Sequence, residues 1–561
     1  MSLTEKIESA LSSKLFCVIV IAVVAMLVYA NTLSNEFVYD DNHQVLKNKW
    51  LGSLGSIPEI LTSSAWGFQK DLQASNYYRP VMHLVYLFNA QIFGIEAWGF
   101  HLVNVVFHAL NAVALFFTAL HFAPLLLPGM AKENKAAMFA LGAALLFAVH
   151  PINTEAVTWV AGIPELSFTL FSLISLNLYL RRGDDAVLSP RYLGSVGFFF
   201  LATLSKETAF TLPLILAAHD VIIKKDLGIR TPLLWMKRFL PFAVAGAAYL
   251  ALRLSALKGV APRAAWHADL SLFERLLNVF PLVGKYFLKL VLPLNLNAFH
   301  VLHPVRTPVD ITFIASFIFT AVLLYAIWRL RGKLPALSFL LAWMALPLLP
   351  VLYVPVLGEN SFTERYLYLS SIGFTMFVSA LAFKARERYL IKSALPALMI
   401  ILVLVVAAIP ATIMRNRVWK DDVALWVDTL GKSPDSGLAH YSLGFAYYER
   451  KRVPEAIEKY RDALKIVYTA PFWHYDLGLA YHDLGMLDDA IFHYNEALRF
   501  GFQNDADTHN NLGNAYAVKG MLNDAAEEYK KAIGIDPDNS LANRNLAIVL
   551  RRLGHDVEKQ Q

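Results

Sequence analysis

Eleven apolar stretches constrain this chain more than any other feature. They lie near 15–31, 99–122, 136–150, 165–181, 192–205, 208–223, 239–256, 311–328, 335–355, 366–383 and 393–413. A helix crossing a bilayer needs about 20 predominantly apolar residues. The runs approach that length, although several fall short of it. Composition agrees: 57% of the 561 residues are hydrophobic and only 17% charged, against about 25% charged in a soluble protein. The net charge of +6 is spread over short loops and leaves no nucleic-acid footprint. Cys17 is the single cysteine, so no intrachain disulfide can form. Lys6 and Lys14 precede the first apolar run, as in a signal peptide. The length of that run, with no clear small-residue cleavage site, favours an uncleaved anchor.

Short loops rich in Lys and Arg stay in the cytoplasm. With the N-terminus inside, five basic loops fall on that side: Lys132/Lys135, Arg181/Arg182, Lys224/Lys225 through Lys237/Arg238, Arg329/Arg331/Lys333 and Lys384/Arg386/Arg388. The opposite loops carry HPINTEAVTW, SKET and GENSFTERY, and the segment after the first run carries FVYDD. An odd number of spans puts the C-terminal region outside as well. Within 257–310, Leu276 to Leu294 is apolar but interrupted by Pro281, Lys285, Lys289 and Pro293. It reads as an interfacial or re-entrant helix.

The pattern changes after Arg415. Leu443-Gly444, Leu477-Gly478 and Leu512-Gly513 recur at the tetratricopeptide (TPR) period, with Leu546-Ala547 in register. Tyr447, Tyr481 and Tyr516 keep the same phase, as do Ala456, Ala490 and Ala525. Such repeats are helix–turn–helix units that stack into a solenoid. The expected fold is therefore all-α. A membrane helical bundle of about eleven spans over 1–417 precedes a TPR solenoid over 418–561. Its repeats lie near 437–470, 471–505 and 506–539, with a partial one over 540–561.

Candidate chemistry gathers at the outer loops. Asp40 and Asp41 sit just beyond the first span, where a carboxylate can take a proton from a hydroxyl nucleophile. Two adjacent acids also raise one another's proton affinity. A solvated Asx turn is the plainer reading. Arg79, in YYRP, can pair with either acid or grip a phosphate, or anchor at the interface. His101, Asn104 and His108 share one helix face, which points to packing inside the bundle. His150 and Glu155 occupy the second outer loop. Lys206 and Glu207 occupy the third, as a neutralised pair or as substrate contacts. Glu364 and Arg365 open the tenth span, where Arg365 can clamp a lipid phosphate or pair with Glu364. There is no P-loop, Rossmann glycine pattern, HExxH or Cys/His cluster, which argues against an ATP-driven pump. No metal ligand is indicated, and a divalent ion is left open.

In order along the chain, FVYDD, YYRPV, FHLVNVVFHALNA, HPINTEAVTWVAGIPEL, LSKETAFTLP and ERYLYLSSIGF, followed by TPRs, resemble the TPR-containing transmembrane O-mannosyltransferases of the GT-C glycosyltransferase superfamily. Where that family's HPIHTEAV block carries a second His, this chain has Asn153. The resemblance implies an inverting enzyme that moves mannose or another hexose from a polyprenyl-phosphate donor to a protein Ser/Thr or other acceptor at the outer face. It implies that Asp40 or Asp41 is the base; Asp40, which directly follows Tyr39, is favoured. Arg79, Lys206, Glu207 and Arg365 are then expected at the donor phosphate, and the TPRs at the acceptor protein. Compactness and the short TPR array suggest a bacterial inner membrane with the site on its periplasmic side. Two other classes compete. A non-catalytic TPR scaffold would need only one anchor span. A lipid or sugar transporter would place its ionisable residues at mid-bilayer rather than at outer loop junctions.

Overall fold

The computed structural model describes residues 11, 13–69, 76–127, 133–182, 189–228, 231–257, 270–352, 360–388, 393–502 and 505–560. Lys6, Lys132 and the start of the GENSFTERY loop lie outside them. The chain divides into two compact units, Met1–Asp421 and Asp422–Gln561.

In the first unit the apolar runs become helices. They are α1 (Lys14–Val28), α2 (Ile57–Thr62), α3 (Pro80–Phe93), α4 (Ala97–Leu126), α5 (Glu133–Val149), α6 (Thr154–Thr158), α7 (Ile163–Leu180), α8 (Pro190–Ser205), α9 (Leu212–His219), α10 (Pro232–Leu257), α11 (Leu272–Val291), α12 (Ile311–Lys333), α13 (Pro335–Ala345), α14 (Tyr368–Arg388) and α15 (Leu395–Asn416). Among the described residues, eight helices are long and apolar enough to cross a membrane. A ninth candidate is the pair Lys135–Val149 and Pro151–Thr158, bent by 51°. The difference from eleven lies at 192–205 and 208–223. The first is a 16-residue helix. The second is broken into a 3₁₀ turn, the eight residues of α9, and a π turn over Asp220–Lys224. Asp220 explains the break. Its fully buried carboxylate collects Tyr179 Oη–H (2.6 Å), Arg182 (2.9 Å), Arg238 (2.8 Å) and His219 Nδ1 (2.9 Å). A charge buried this deeply persists only when so completely satisfied.

The Leu276–Leu294 stretch is the 20-residue amphipathic helix α11. Ser271 and Glu274 close a capping box at its start, satisfying backbone donors that a helix terminus leaves unpaired. It buries Leu277, Leu282, Tyr286 and Leu290, exposes Leu276, Leu288 and Val291, and is not among the span-length apolar helices. Beside it, β1 (His300–Val301) pairs antiparallel with β2 (Asn360–Phe362).

The face His101–Asn104–His108 of α4 is buried and is used for packing. Asn104 Nδ2 donates to the carbonyls of Trp159 (2.7 Å) and Val157 (3.3 Å), which pins the loop after α5 to α4. His108 bridges Tyr368 Oη (2.7 Å) and the Ala148 carbonyl (3.0 Å).

The second unit opens with α16 (Asp422–Leu430). Three helix pairs follow: α17 (Gly437–Glu449) with α18 (Val453–Ile466), α19 (Pro471–Asp483) with α20 (Leu487–Phe500), and α21 (Ala506–Val518) with α22 (Leu522–Ile535). A last helix, α23 (Ser540–Gln560), closes it. The Leu-Gly spacing has a steric cause. A Cβ on Gly444, Gly478 or Gly513 would lie 2.7–2.8 Å from the ring of Tyr460, Tyr494 or Tyr529 respectively. Each glycine lets the two helices of its repeat touch across a buried tyrosine. Neighbouring repeats are joined in register by Tyr441 Oη–H to Asp476 (2.6 Å), Asn511 Nδ2–H to Tyr475 Oη (3.0 Å) and Asn545 Nδ2–H to Asn510 (3.1 Å). Gly478→Ala is expected to destabilise this unit by about 1–3 kcal/mol, the usual effect of overpacking. Amide exchange of the full chain should speed up in α19 and α20 and stay unchanged in α4 and α7; unchanged protection in α19 would refute the close approach.

Candidate active site

The loops after α1, α5 and α8 and the turn before α14 converge on a polar cavity of about 160 Å³ lined by Asp40, Gln44, Trp66, Tyr77, Arg79, Trp159, Ala161, Glu165, Lys206, Arg365 and Tyr366, among others. Its geometry starts at Tyr39, which takes a left-handed backbone (φ 54°). A β-carbon disfavours that conformation by about 1–2 kcal/mol. Stacking offsets the cost: the Tyr39 ring lies 6.0 Å from Trp159, which stacks in turn on Trp419 at 5.9 Å.

The turn at Tyr39 separates the two acids. Asp41 is fully buried. It accepts Ala161 N–H at 2.8 Å and Val38 N–H at 3.2 Å, tying the loop after α1 to the one before α7. Asp40 lines the cavity instead. Burial pushes its carboxyl up to about 6, against the pull of Arg365 and Arg79.

Three cations share the cavity, and each meets a glutamate from a distant part of the chain. Arg79 forks onto Glu207 (2.8 and 3.3 Å) with its guanidinium 4.5 Å from the Tyr77 ring. Burial works against the Glu207 charge, yet Arg79 holds that carboxyl down to about 2. Lys206 donates to Glu165 at 2.5 Å and lies over the Tyr366 ring at 4.6 Å. Arg365 pairs with Glu155 through its side chain and its backbone N–H, and with Glu165 through Nε at 3.2 Å. Its guanidinium lies 5.0 Å from the ring centroid of Trp159 and 5.4 Å from that of Tyr366. Bidentate and stacked contacts of this kind suit arginine and not lysine.

Several sequence expectations change as a result. Arg79 is paired with Glu207 rather than with Asp40 or Asp41. Lys206 and Glu207 do not neutralise each other. Arg365 does not pair with Glu364, which instead accepts Asn297 N–H (2.7 Å) and lies 3.1 Å from His300 Nε2. Adjacent side chains in a turn point apart, and each finds its partner across the fold. His150 is not in the cavity. It caps the turn at Ile152 (3.3 Å) and packs against Phe374. Asn153 is likewise structural, bonded to the Phe147 carbonyl (2.9 Å) and to Ser371 (3.1 Å).

The sequence reading missed Glu165, Trp159 and Tyr366 as cavity residues. Glu165 opens α7 directly after Pro164, where an acid is ordinary helix-start chemistry, so nothing local marked it. Trp159 and Tyr366 are aromatics beside the singled-out residues, and nothing in the local sequence marks them as cavity residues.

Comparison with known proteins bears on the family rather than on these residues. TPR repeat models match residues 444–485, 478–520 and 506–539. The chain is 26% identical over 452 residues to a Caenorhabditis elegans protein named Protein O-mannosyl-transferase F38B6.6, covering 78% of this chain and 61% of that relative. It is 26% identical over 476 residues to human Protein O-mannosyl-transferase TMTC3, covering 78% of this chain and 50% of that one. Human Protein O-mannosyl-transferase TMTC2 is 33% identical over 217 residues, 38% of this chain and 25% of that relative. The chain thus spans about half to three fifths of the length of the first two. These similarities are consistent with a TPR-containing O-mannosyltransferase family. The relatives come from animals and lend no support to a bacterial membrane.

Proposed function

We propose that this chain is an inverting membrane glycosyltransferase that moves a hexose, mannose by its resemblance, from a polyprenyl-phosphate donor to a Ser/Thr hydroxyl at the outer face. The observation that carries the reading is one small cavity holding a raised-pKa carboxylate, Asp40, beside Arg79, Lys206 and Arg365. Asp40 takes the proton of the acceptor hydroxyl. The oxygen attacks the anomeric carbon from the face opposite the phosphate. The bond from that carbon to the phosphate oxygen breaks, and its electron pair leaves on the lipid phosphate. The three cations stabilise that developing charge, which is held by positioned groups in a site shielded from water. The glutamates keep these cations ordered before the donor arrives. Asp41 acts on the base through the backbone it anchors.

The basic loops support the outer-face assignment, and the TPR unit is the natural site for an acceptor polypeptide. The deciding experiment is transfer itself. Purified protein given a polyprenyl-phosphate-linked mannose and a Ser/Thr-rich acceptor should release the lipid phosphate and glycosylate the peptide; no turnover with any polyprenyl-phosphate hexose would refute the reading. Arg365→Lys should raise the donor KM more than the acceptor KM. Lysine cannot span Glu155 and Glu165 while facing a phosphate. Equal effects on both would assign Arg365 to folding alone.

A further inference from the structure

A second cavity, about 930 Å³ and largely apolar, lies between α11, α12 and the His300–Val305 segment. Asn278 fixes that segment as its wall, exchanging two hydrogen bonds of 2.8 Å with the Val305 backbone. At Gly284 the two helices approach so closely that a Cβ would lie 2.7 Å from Ser316 Oγ. The cavity's other helix, α12, turns Ile311, Ile318, Val322, Leu324 and Trp328 outward, and Leu323 is its one buried residue among those described. A chain entering between the helices would therefore come from the bilayer.

The cavity has one ammonium, Lys285, whose charge burial and Lys289 disfavour and the Glu364 carboxylate favours. Of its two charged lining residues, Asp310 accepts Thr312 N–H (2.7 Å) and Phe313 N–H (3.4 Å) and so caps α12. Lys285 Nζ lies 4.4 Å from the centre of the Phe362 ring. Among the described residues it has no carboxylate at pairing distance. A half-buried ammonium over an apolar cavity is complementary to an anionic head with hydrocarbon behind it.

No residue lines both cavities. Phe362 lines the second cavity and Arg365 the first, and Thr363 and Glu364, which join them along the chain, are each at most 2% exposed. We infer that the cavity between α11 and α12 holds a separate molecule, an anionic glycerophospholipid of the surrounding bilayer, with its phosphate at Lys285. Its chains pack against Phe362, three residues before Arg365. Occupancy therefore steadies the turn that presents Arg365 to the polar cavity. The link to Arg365 rests on the transfer reading above; the lipid site does not.

The test is native mass spectrometry of the purified full chain in mild detergent, after exchange into phosphatidylglycerol or phosphatidylcholine. The expected result is about one retained phospholipid per chain, with phosphatidylglycerol preferred. Ala315→Trp, which puts an indole into the cavity between α11 and α12, should reduce retention several-fold. Lys285→Met, which leaves the packing intact, should abolish the headgroup preference while a lipid is still retained. Added polyprenyl phosphate should leave the retained phospholipid in place. Displacement by polyprenyl phosphate would overturn the inference and make the cavity the donor's chain groove. Retention unaffected by either substitution would also overturn it. A protein that keeps its phospholipid but transfers no sugar would refute the transfer reading alone.

Discussion

Asp40→Asn is expected to leave the protein folded and able to bind donor while sugar transfer falls about 10²–10⁴-fold, the usual effect of losing a general base. Asparagine keeps the shape of the side chain and cannot take the proton. Asp41→Asn should act differently, because Asp41 accepts backbone N–H groups at Ala161 and Val38 and does not line the cavity. Its amide would place a donor against one of those N–H groups, so its defect should appear as lost stability together with a smaller loss of transfer. Near-native transfer by both variants would remove the acidic pair from the reaction.

The pH dependence of Asp40 carries a sign that checks the same assignment. Its carboxyl is pushed up to about 6 from an ordinary 3.8. A base works ionised, so kcat/KM should fall about tenfold per pH unit below about 6 and level off above it. A sugar phosphodiester stays anionic throughout and adds no inflection there. The stability effect has the opposite sense. With the folded value raised, the contribution to stability is full below the unfolded value and is lost as pH rises through about 6. At pH 7 the native protein therefore carries an ionised Asp40 at a cost, and Asp40→Asn should be no less heat-stable than the native protein. A flat rate profile between pH 5 and 7 would count against Asp40 as the base.

Much of the architecture is legible in the sequence because it follows from short-range regularities. Apolar runs give spans, and the Leu-Gly spacing gives the repeats, since a glycine is needed wherever a tyrosine ring meets the facing helix. The break at 208–223 is not legible in this way. It depends on Asp220 meeting Arg182, just past the end of α7, and Arg238 of α10. The site shows the same division. The residue types at the outer loops announce a cavity of acids and cations, but not who pairs with whom. Arg79 meets Glu207 across 128 positions and Arg365 meets Glu155 across 210. Adjacency suggested Lys206 with Glu207 and Glu364 with Arg365, and both pairings dissolve. Glu165 escaped notice because its meaning comes wholly from Lys206 and Arg365, which are far away in sequence. The left-handed turn at Tyr39 also has no local signature, and it is what sends Asp40 and Asp41 in different directions.

Glu165 also supports the largest stability effect expected of a single change. Its carboxylate is the one hydrogen-bonded to Lys206, and it shares Arg365 with Glu155. The side chains of Lys206 and Glu165 are 5% and 3% exposed. Removing one partner of a pair this deeply buried leaves an uncompensated charge and costs about 3–5 kcal/mol. Glu165→Ala should therefore sharply lower the thermal aggregation temperature of the detergent-purified protein. Lys206→Met alone strands the acid less completely, because Arg365 still reaches Glu165. The double variant Glu165→Ala/Lys206→Met removes both charges, and its stability should recover most of the loss. That is the non-additivity expected of residues in contact. Sugar transfer should not recover with it, because a cation beside the leaving phosphate is gone. Additive stability losses would show that the two side chains do not pair in the working protein. Recovery of transfer along with stability would show that Lys206 serves the fold and not the reaction.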